Sequence, residues 1–390
     1  MHPSVKFARA LAGFEETSAA WEALAGRARH LRFFQHPDWY RALFGAALAN
    51  PDEFVFVTCH EGPHTTGVLP LRLGTTHTLG LPVRTLSLVE HAHASLSGGL
   101  FVDNPAGERL MPGILEALQS QTALPWDVLR LDKVPERSPL SGCVPGSAKV
   151  PGDSAVQGAS AYLDTRSEEA AFGPVSNSFK RELRRRTRKA EELGPLRHEV
   201  HTAPQDLDDA LTRWLAIEAS GWKAAGGSAI MQDARLVAFY RTLARHFGAR
   251  GECFIFILRH GDVDVAGQFG LLVNGTLNLL KIAYHEAHSA FAPGNLIMER
   301  TLRWCCAQSQ VNELSFVTNP PWGHLWKPQH ERVFMHRFFN PTPKGRLLHL
   351  AVRAKQWNER RLAARAAPQV PPEAAAGAQG GVTADSVLAG

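Results

Sequence analysis

The residues whose types and spacing suit chemistry concentrate in 277–307, LNLLKIAYHEAHSAFAPGNLIMERTLRWCCA. An apolar run carries Lys281 and ends at Tyr284. A short polar loop with His285 and Glu286 follows, and Ala292, Pro293, Gly294, Asn295 and Leu296 open a segment of helical periodicity. A helix start offers backbone N–H groups without intrahelical partners and the positive end of the helix dipole, and a glycine there lets a phosphate approach the backbone. Such a strand, loop and helix can hold a pyrophosphate, although the same pattern opens many helices that bind nothing.

A second candidate is Glu218. Leu207, Leu211, Trp214 and Leu215 make one apolar helical face, and the same spacing reaches Glu218, with Trp222 four residues further on. A carboxylate facing a core needs a partner or holds its proton more tightly, and the second condition suits a general base. The alternative is a helix that ends before Glu218, whose side chain then caps a loop or pairs with Lys223.

The elements that position these groups follow from periodicity. Residues 277–284 are too apolar and too few for a surface helix and read as a strand buried on both faces. Strict alternation puts Lys281 with Leu279 and Ala283, and Tyr284 with Leu280 and Ile282 on the other face. Lys281 and Tyr284 are then either cleft residues or core-edge residues with solvated tips. Residues 253–258, CFIFIL, read as a central strand and 263–273 as the next, turned by Asn274-Gly275 into the strand at 277. From Asn295 the helical stripe is Met298, Leu302, Cys305 and Cys306.

In the first part of the chain, 18–29, 37–48 and 107–119 read as helices and 54–59, 67–73, 85–89 and 127–131 as strands, an α/β or α+β unit of domain size. His91 and His93 form a His-x-His with no third ligand nearby in sequence, which is no basis for a metal site. Between 135 and 160 the composition turns to Pro, Gly and Ser, as a linker or a long excursion between strands. From 363 to 390 it is rich in Ala, Pro and Gly, and disorder is expected.

Forty-two basic and 37 acidic residues leave a formal charge of +5, too small an excess to argue for nucleic acid. The distribution is uneven, however. Residues 180–189, KRELRRRTRK, place seven positive charges around Glu182, with Phe179, Leu183, Arg186, Ala190 and Leu193 on one stripe. This is a solvated helix face or a surface for a phosphate-rich partner. The five cysteines form no CxxC, so no structural zinc or disulfide framework is expected. No run approaches the ~18 apolar residues of a membrane span, and a cytoplasmic location is expected.

Three stretches, GWKAAGGSAI (221–230), LKIAYHEAHSAFAPGNLIMER (280–300) and WGHLWK (322–327), together resemble the CelD/BcsL branch of the GNAT acyltransferase superfamily. The resemblance covers 162–346, with a weaker echo in FFQHPDWYRALF (33–44). In the superfamily's pyrophosphate pattern, Arg/Gln-x-x-Gly-x-Gly/Ala, only Gly294 of the run 289–294 matches, while Pro293-Gly294 is the pair this branch carries.

The resemblance implies an α/β (α+β) fold with a GNAT-like mixed sheet flanked by helices, as two tandem domains in a FemABX-like arrangement. These are a degenerate copy at 1–160 and the acyltransferase copy at 161–350. It implies a donor, acetyl-CoA or another acyl-CoA, held at Ala292, Pro293, Gly294, Asn295 and Leu296. Backbone N–H groups on the strand 277–284 would polarise the thioester, and Glu218, Tyr284 and Lys281 would serve catalysis. Trp222, Lys223, Glu286, Trp326 and Lys327 would face the substrate. Such chemistry needs oriented donors and one proton acceptor rather than a Ser-His-Asp set.

Three functions follow. The first is a coenzyme A-dependent N- or O-acyltransferase acting on a sugar, polysaccharide or cell-envelope precursor, a small-molecule or carbohydrate acceptor. The second is a FemABX-like aminoacyl transferase, for which the 180–189 helix would meet tRNA. The third is a non-catalytic binding protein that keeps the fold.

Overall fold

Chain order runs through the same succession of elements twice. Strand β1 (Ser4–Arg9) leads into helices α1 (Ala10–Ala25) and α2 (Pro37–Gly45). An antiparallel meander follows, β2 (Phe54–Glu61), β3 (His64–Thr78) and β4 (Leu81–Leu88), then the short β5 (Leu100–Phe101), helix α3 (Asn104–Ser120) and strand β6 (Val128–Pro135), which lies parallel to β4. Strand β7 (Gly152–Asp164) and helices α4 (Glu168–Phe172) and α5 (Asn177–Leu193) intervene before the succession restarts. It comprises β8 (Leu196–His201), helices α6 (Leu207–Ala219) and α7 (Ala234–Gly248), and the meander β9 (Cys253–His260), β10 (Val263–Val273) and β11 (Thr276–Tyr284). Helix α8 (Pro293–Cys306) and strand β12 (Glu313–Ser315), parallel to β11, complete it, and β13 (Gln329–Phe339) and α9 (Pro343–Ala366) follow.

This computed structural model describes residues 4–78, 80–145, 150–220 and 229–366. Its strands form one mixed sheet in the order β1-β2-β3-β4-β6-β13-β7-β12-β11-β10-β9-β8, with β5 paired to β3. The two repeats therefore lie side by side, joined through β13 and β7. The mixed α/β sheet flanked by helices, with its succession of elements repeated in tandem, is present.

The sheet is covered on both faces, and that explains its apolar strands. In β9, Cys253, Ile255 and Ile257 enter a core shared with α6 and α7, while Phe254, Phe256 and Leu258 enter one built on α5 and α8. The turn into β11 carries φ of 50° at Asn274 and 76° at Gly275, the left-handed pair that a two-residue hairpin requires.

Some boundaries differ from the sequence reading. The first helix starts at Ala10 rather than 18, and β7 starts at Gly152, inside the Pro/Gly/Ser stretch, so a division at 160 falls within a strand. Leu193 is exposed at the end of the α5 stripe, whereas Leu183 and Ala190 are buried. Helix α9 runs to Ala366, past the expected start of the tail, and 367–390 lie outside the described residues.

Two buried carboxylates tie the repeats together. Asp38 on α2 meets Arg41 of its own repeat at 2.5 Å and Arg250, just beyond α7, at 2.5 Å. Glu331 on β13 meets Arg32 at 3.0 Å and Arg137 at 3.2 Å, both from the amino-terminal half.

Candidate functional site

β11 and β12 are paired only where Thr276, Leu277 and Asn278 face Glu313, Leu314 and Ser315. Beyond Asn278 the two strands part. The gap is a cleft of about 320 Å³ between the end of β11, with Ile282 and Tyr284, the start of α8, with Ala292, Pro293, Gly294 and Asn295, and the flanking Ser289 and Trp322. Five residues expected in the site, Tyr284 and 292–295, thus come together.

Local sequence explains the open helix start. Ala292 stands in the left-handed region at φ 52°, Pro293 occupies the first turn, and no side chain caps the helix. Asn295 and Leu296 both donate to the Ala292 carbonyl, at 2.9 and 3.2 Å, and Ala292 donates to Ser289. Pro293 has no N–H, so among the described residues the Gly294 N–H is the one donor left at this start, where the sequence led us to expect several. Leu296, expected in the donor site, is fully buried and does not line the cleft, because its place on the helix turns it into the core. A Cβ built on Gly294 would lie 3.4 Å from Cδ1 of Tyr284, so the tyrosine ring overhangs the glycine as one wall. Opposite, Trp322 is 40% exposed, edge-on to Phe316.

Strict alternation fails in β11. Leu279 pairs with Gly270 and Lys281 with Phe269, so Leu280 is an extra residue, a β-bulge. Leu277, Leu279 and Ile282 pack on the α8 side, whereas Leu280 and Ala283 pack on the α6–α7 side. Lys281 therefore shares a face with Leu280 and Ala283, not with Leu279. The bulge also interrupts the ladder beside the cleft, where an unpaired backbone N–H can meet a carbonyl.

On that opposite face the two repeats bring polar groups together. Burial, aided by the charge of Lys281, lowers His91 to about 4. His91 packs on Trp39 and Phe239, and His93 Nδ1 lies 2.7 Å from the Tyr240 hydroxyl. Burial, with the nearby charge of Glu218, pushes the Tyr240 phenol well up. Glu218 lies within α6, is 3% exposed, and accepts the Ile230 N–H at 2.8 Å. The periodicity placed it correctly inside the helix. The histidines, which sequence spacing gave no reason to retain, thus line the contact between repeats. Only a tertiary contact some 190 residues away in sequence joins them to Lys281, and no local signal carries that.

Other expected residues fall elsewhere. Trp326 is fully buried against Phe172 and Phe179, a core residue rather than a cleft residue, with no hydrogen-bond partner for its indole N–H among the described residues. Lys327 is exposed at the left-handed end of the 3-10 turn Pro321–Trp326, and Glu286 is exposed on the turn Glu286–Phe291. Neither lines the cleft. Trp222 and Lys223 lie outside the described residues. Conversely Ile282, Ser289 and Trp322 were not singled out. Ile282 was readable from its position beside Tyr284 on a cleft strand. Among the described residues no three His, Cys, Asp or Glu side chains gather to hold a metal ion.

Basic residues stand further along the same helix. Arg184 and Arg188 of α5 and Arg300 and Arg303 of α8 line a surface hollow with Glu191 and Glu299. Arg300 is six residues from Gly294, about 9 Å along the axis.

Fold and cleft together define a class, a tandem α/β protein whose carboxy-terminal repeat opens a cleft where β11 and β12 part. Residues 177–324 match the family described as acetyltransferase (GNAT) domain. Among solved structures the chain is similar to FemX, at 11% identity and a TM-score of 0.53, over 85% of this chain and 98% of that one. It is similarly related to the C-terminal domain (DUF2156) of a putative lysylphosphatidylglycerol synthetase from Agrobacterium fabrum, at 9% identity and 0.53, over 87% and 95%. At such identities the likeness is one of fold. No curated protein matches the chain.

Proposed function

We propose that the protein is an acyl-CoA-dependent N- or O-acyltransferase whose acceptor is a small molecule or carbohydrate, such as a sugar or cell-envelope precursor of the kind the CelD/BcsL resemblance implies. The observation that carries this reading is the cleft at the parting of β11 and β12, with an uncapped helix start on one wall and a bulged strand on the other. The donor's pyrophosphate would lie at the Gly294 N–H, its acyl arm would run along Ile282 and Tyr284, and its carbonyl would meet the backbone at Leu280. The acceptor would attack from the face of Lys281, and Glu218 would take its proton, oriented by the Ile230 N–H.

Only the second repeat suits a donor. In the first, the corresponding helix α3 is capped by Asp103, whose carboxylate accepts the Ala106 N–H at 2.8 Å and sets a negative charge where α8 has none.

The test is thermal unfolding with and without acetyl-CoA. A ligand at 100 times its Kd adds about 2.7 kcal/mol, an upward shift in melting temperature, and no shift at millimolar acetyl-CoA and longer acyl-CoAs would sink the reading.

The aminoacyl-tRNA alternative is favoured by one observation. Arg181, Arg184, Arg188 and Lys189 are exposed on α5, without ion pairs among the described residues, and α5 packs against the donor-site helix α8. Binding of tRNA that falls steeply with salt would support it.

A further inference from the structure

We propose that helix α9 is a membrane-docking element that lays the protein on an anionic lipid bilayer surface. Its inner face is accounted for. Leu348 and Val352 are buried with Val83, Val128 and Phe339, His349 packs on Phe339, and Gln356 reaches Asp153. Its outer face is not. Leu347, Leu350 and Trp357 are 62, 63 and 63% exposed, and with Ala354 and Arg361 they fall within ~80° of arc at 100° per residue, directly away from the sheet. A surface helix normally turns charge outward and burial inward, whereas this one is apolar on both sides.

The charges identify the occupant. The segment 343–366 carries seven Lys and Arg against the single Glu359. Arg346 and Arg353 flank one edge of the outer stripe and have no ion pair among the described residues, and Lys355, loosely paired to Glu359 at 3.8 Å, flanks the other. A second copy packed on this stripe would set the arginines of both chains against each other with almost no acid to offset them. Lipid phosphates reverse that balance, since basic side chains near an anionic leaflet are attracted to it. Arg361, stacked on Trp357 at 5.3 Å, fits the same setting, since its guanidinium can rise to the headgroups while the indole sits at the interface. No helix among the described residues is long and apolar enough to cross a membrane, so α9 would lie flat, parallel to the surface.

Flotation of the full chain with vesicles of phosphatidylcholine alone, or of phosphatidylcholine with phosphatidylglycerol, tests the proposal. The wild type is expected to float with the anionic vesicles and not the neutral ones. Leu350→Glu with Trp357→Glu should reduce bound protein at least tenfold at an unchanged melting temperature. Arg346→Glu with Arg353→Glu, which leaves the apolar stripe intact, is a second variant expected to lose anionic binding should the first fail to fold. Absence of wild-type binding, equal binding to neutral vesicles, or a wild-type dimer in sedimentation that the first variant makes monomeric without any vesicle binding would each overturn it.

Discussion

In the proposed donor site Gly294 lies directly against the Tyr284 ring. Gly294 is at an ordinary helical φ, so Gly294→Val is compatible with the fold. Its added methyls would press on the Tyr284 ring, which already stands 3.4 Å from the Cβ position, and cover the one open N–H. We expect acetyl-CoA affinity to fall at least tenfold by calorimetry with the circular dichroism spectrum unchanged, and equal affinity would refute the placement. At Glu218 the same scale separates two roles. Glu218→Gln keeps an oxygen for the Ile230 N–H but cannot take a proton, so turnover should fall ~10²–10⁴-fold at near-normal donor binding. Near-normal turnover with a lower melting temperature would make Glu218 only an anchor for the chain entering Ile230.

At the scale of elements, α5 decides between the two donors. Arg181, Arg184 and Arg188 are exposed, so changing all three to Glu should leave stability within about 0.5 kcal/mol per site. Transfer from acetyl-CoA should persist in that variant. Abolished turnover in a folded protein would move the reading to an aminoacyl-tRNA donor. Much of this level was legible in sequence. The apolar run at 253–258, the Asn274-Gly275 turn and the Pro293-Gly294 helix start each combine a local rule with the tertiary outcome, and all three are where periodicity places them. The bulge at Leu280 was not legible, because an inserted residue leaves an apolar strand looking equally apolar and only the register with β10 reveals it. Trp326 failed for a related reason: a motif fixes position in the chain, not which way a side chain turns, and here it turns into the Phe172–Phe179 core.

At the scale of the molecule, acid stability rests on contacts within and between the repeats that arise from residues no sequence window contains together. Burial and the charge of Lys281 hold His91 at about 4, and burial and the charge of Arg300 do the same for His198, both below the ordinary 6.5. Each is neutral when folded and binds a proton when unfolded, so stability is full above pH 6.5 and declines as pH falls from 6.5 toward 4. Asp38 acts lower. Burial opposes its charge, but hydrogen bonds from His36, Arg250 and Arg41 outweigh that and hold it well below its ordinary 3.8, so its contribution is lost only as pH falls beneath that value. Asp38→Asn takes the buried counter-charge from Arg41 and Arg250 and leaves them only their outer partners, Glu22 and Glu252. Breaking a fully buried pair costs about 3–5 kcal/mol, and because these arginines keep 29 and 35% exposure we expect about 2–3 kcal/mol near neutral pH. Urea unfolding from pH 8 to 3 should then give two curves whose gap widens slightly between 6.5 and 4, because the Asp38 charge 3.5 Å from His246 favours that histidine's protonation only in the wild type, and narrows below 4, where only the wild type has an Asp38 charge to lose. Convergence that begins near pH 6 would assign the acid response to a group other than Asp38, and coincident curves throughout would show that the Asp38 to Arg250 contact does not hold the repeats together.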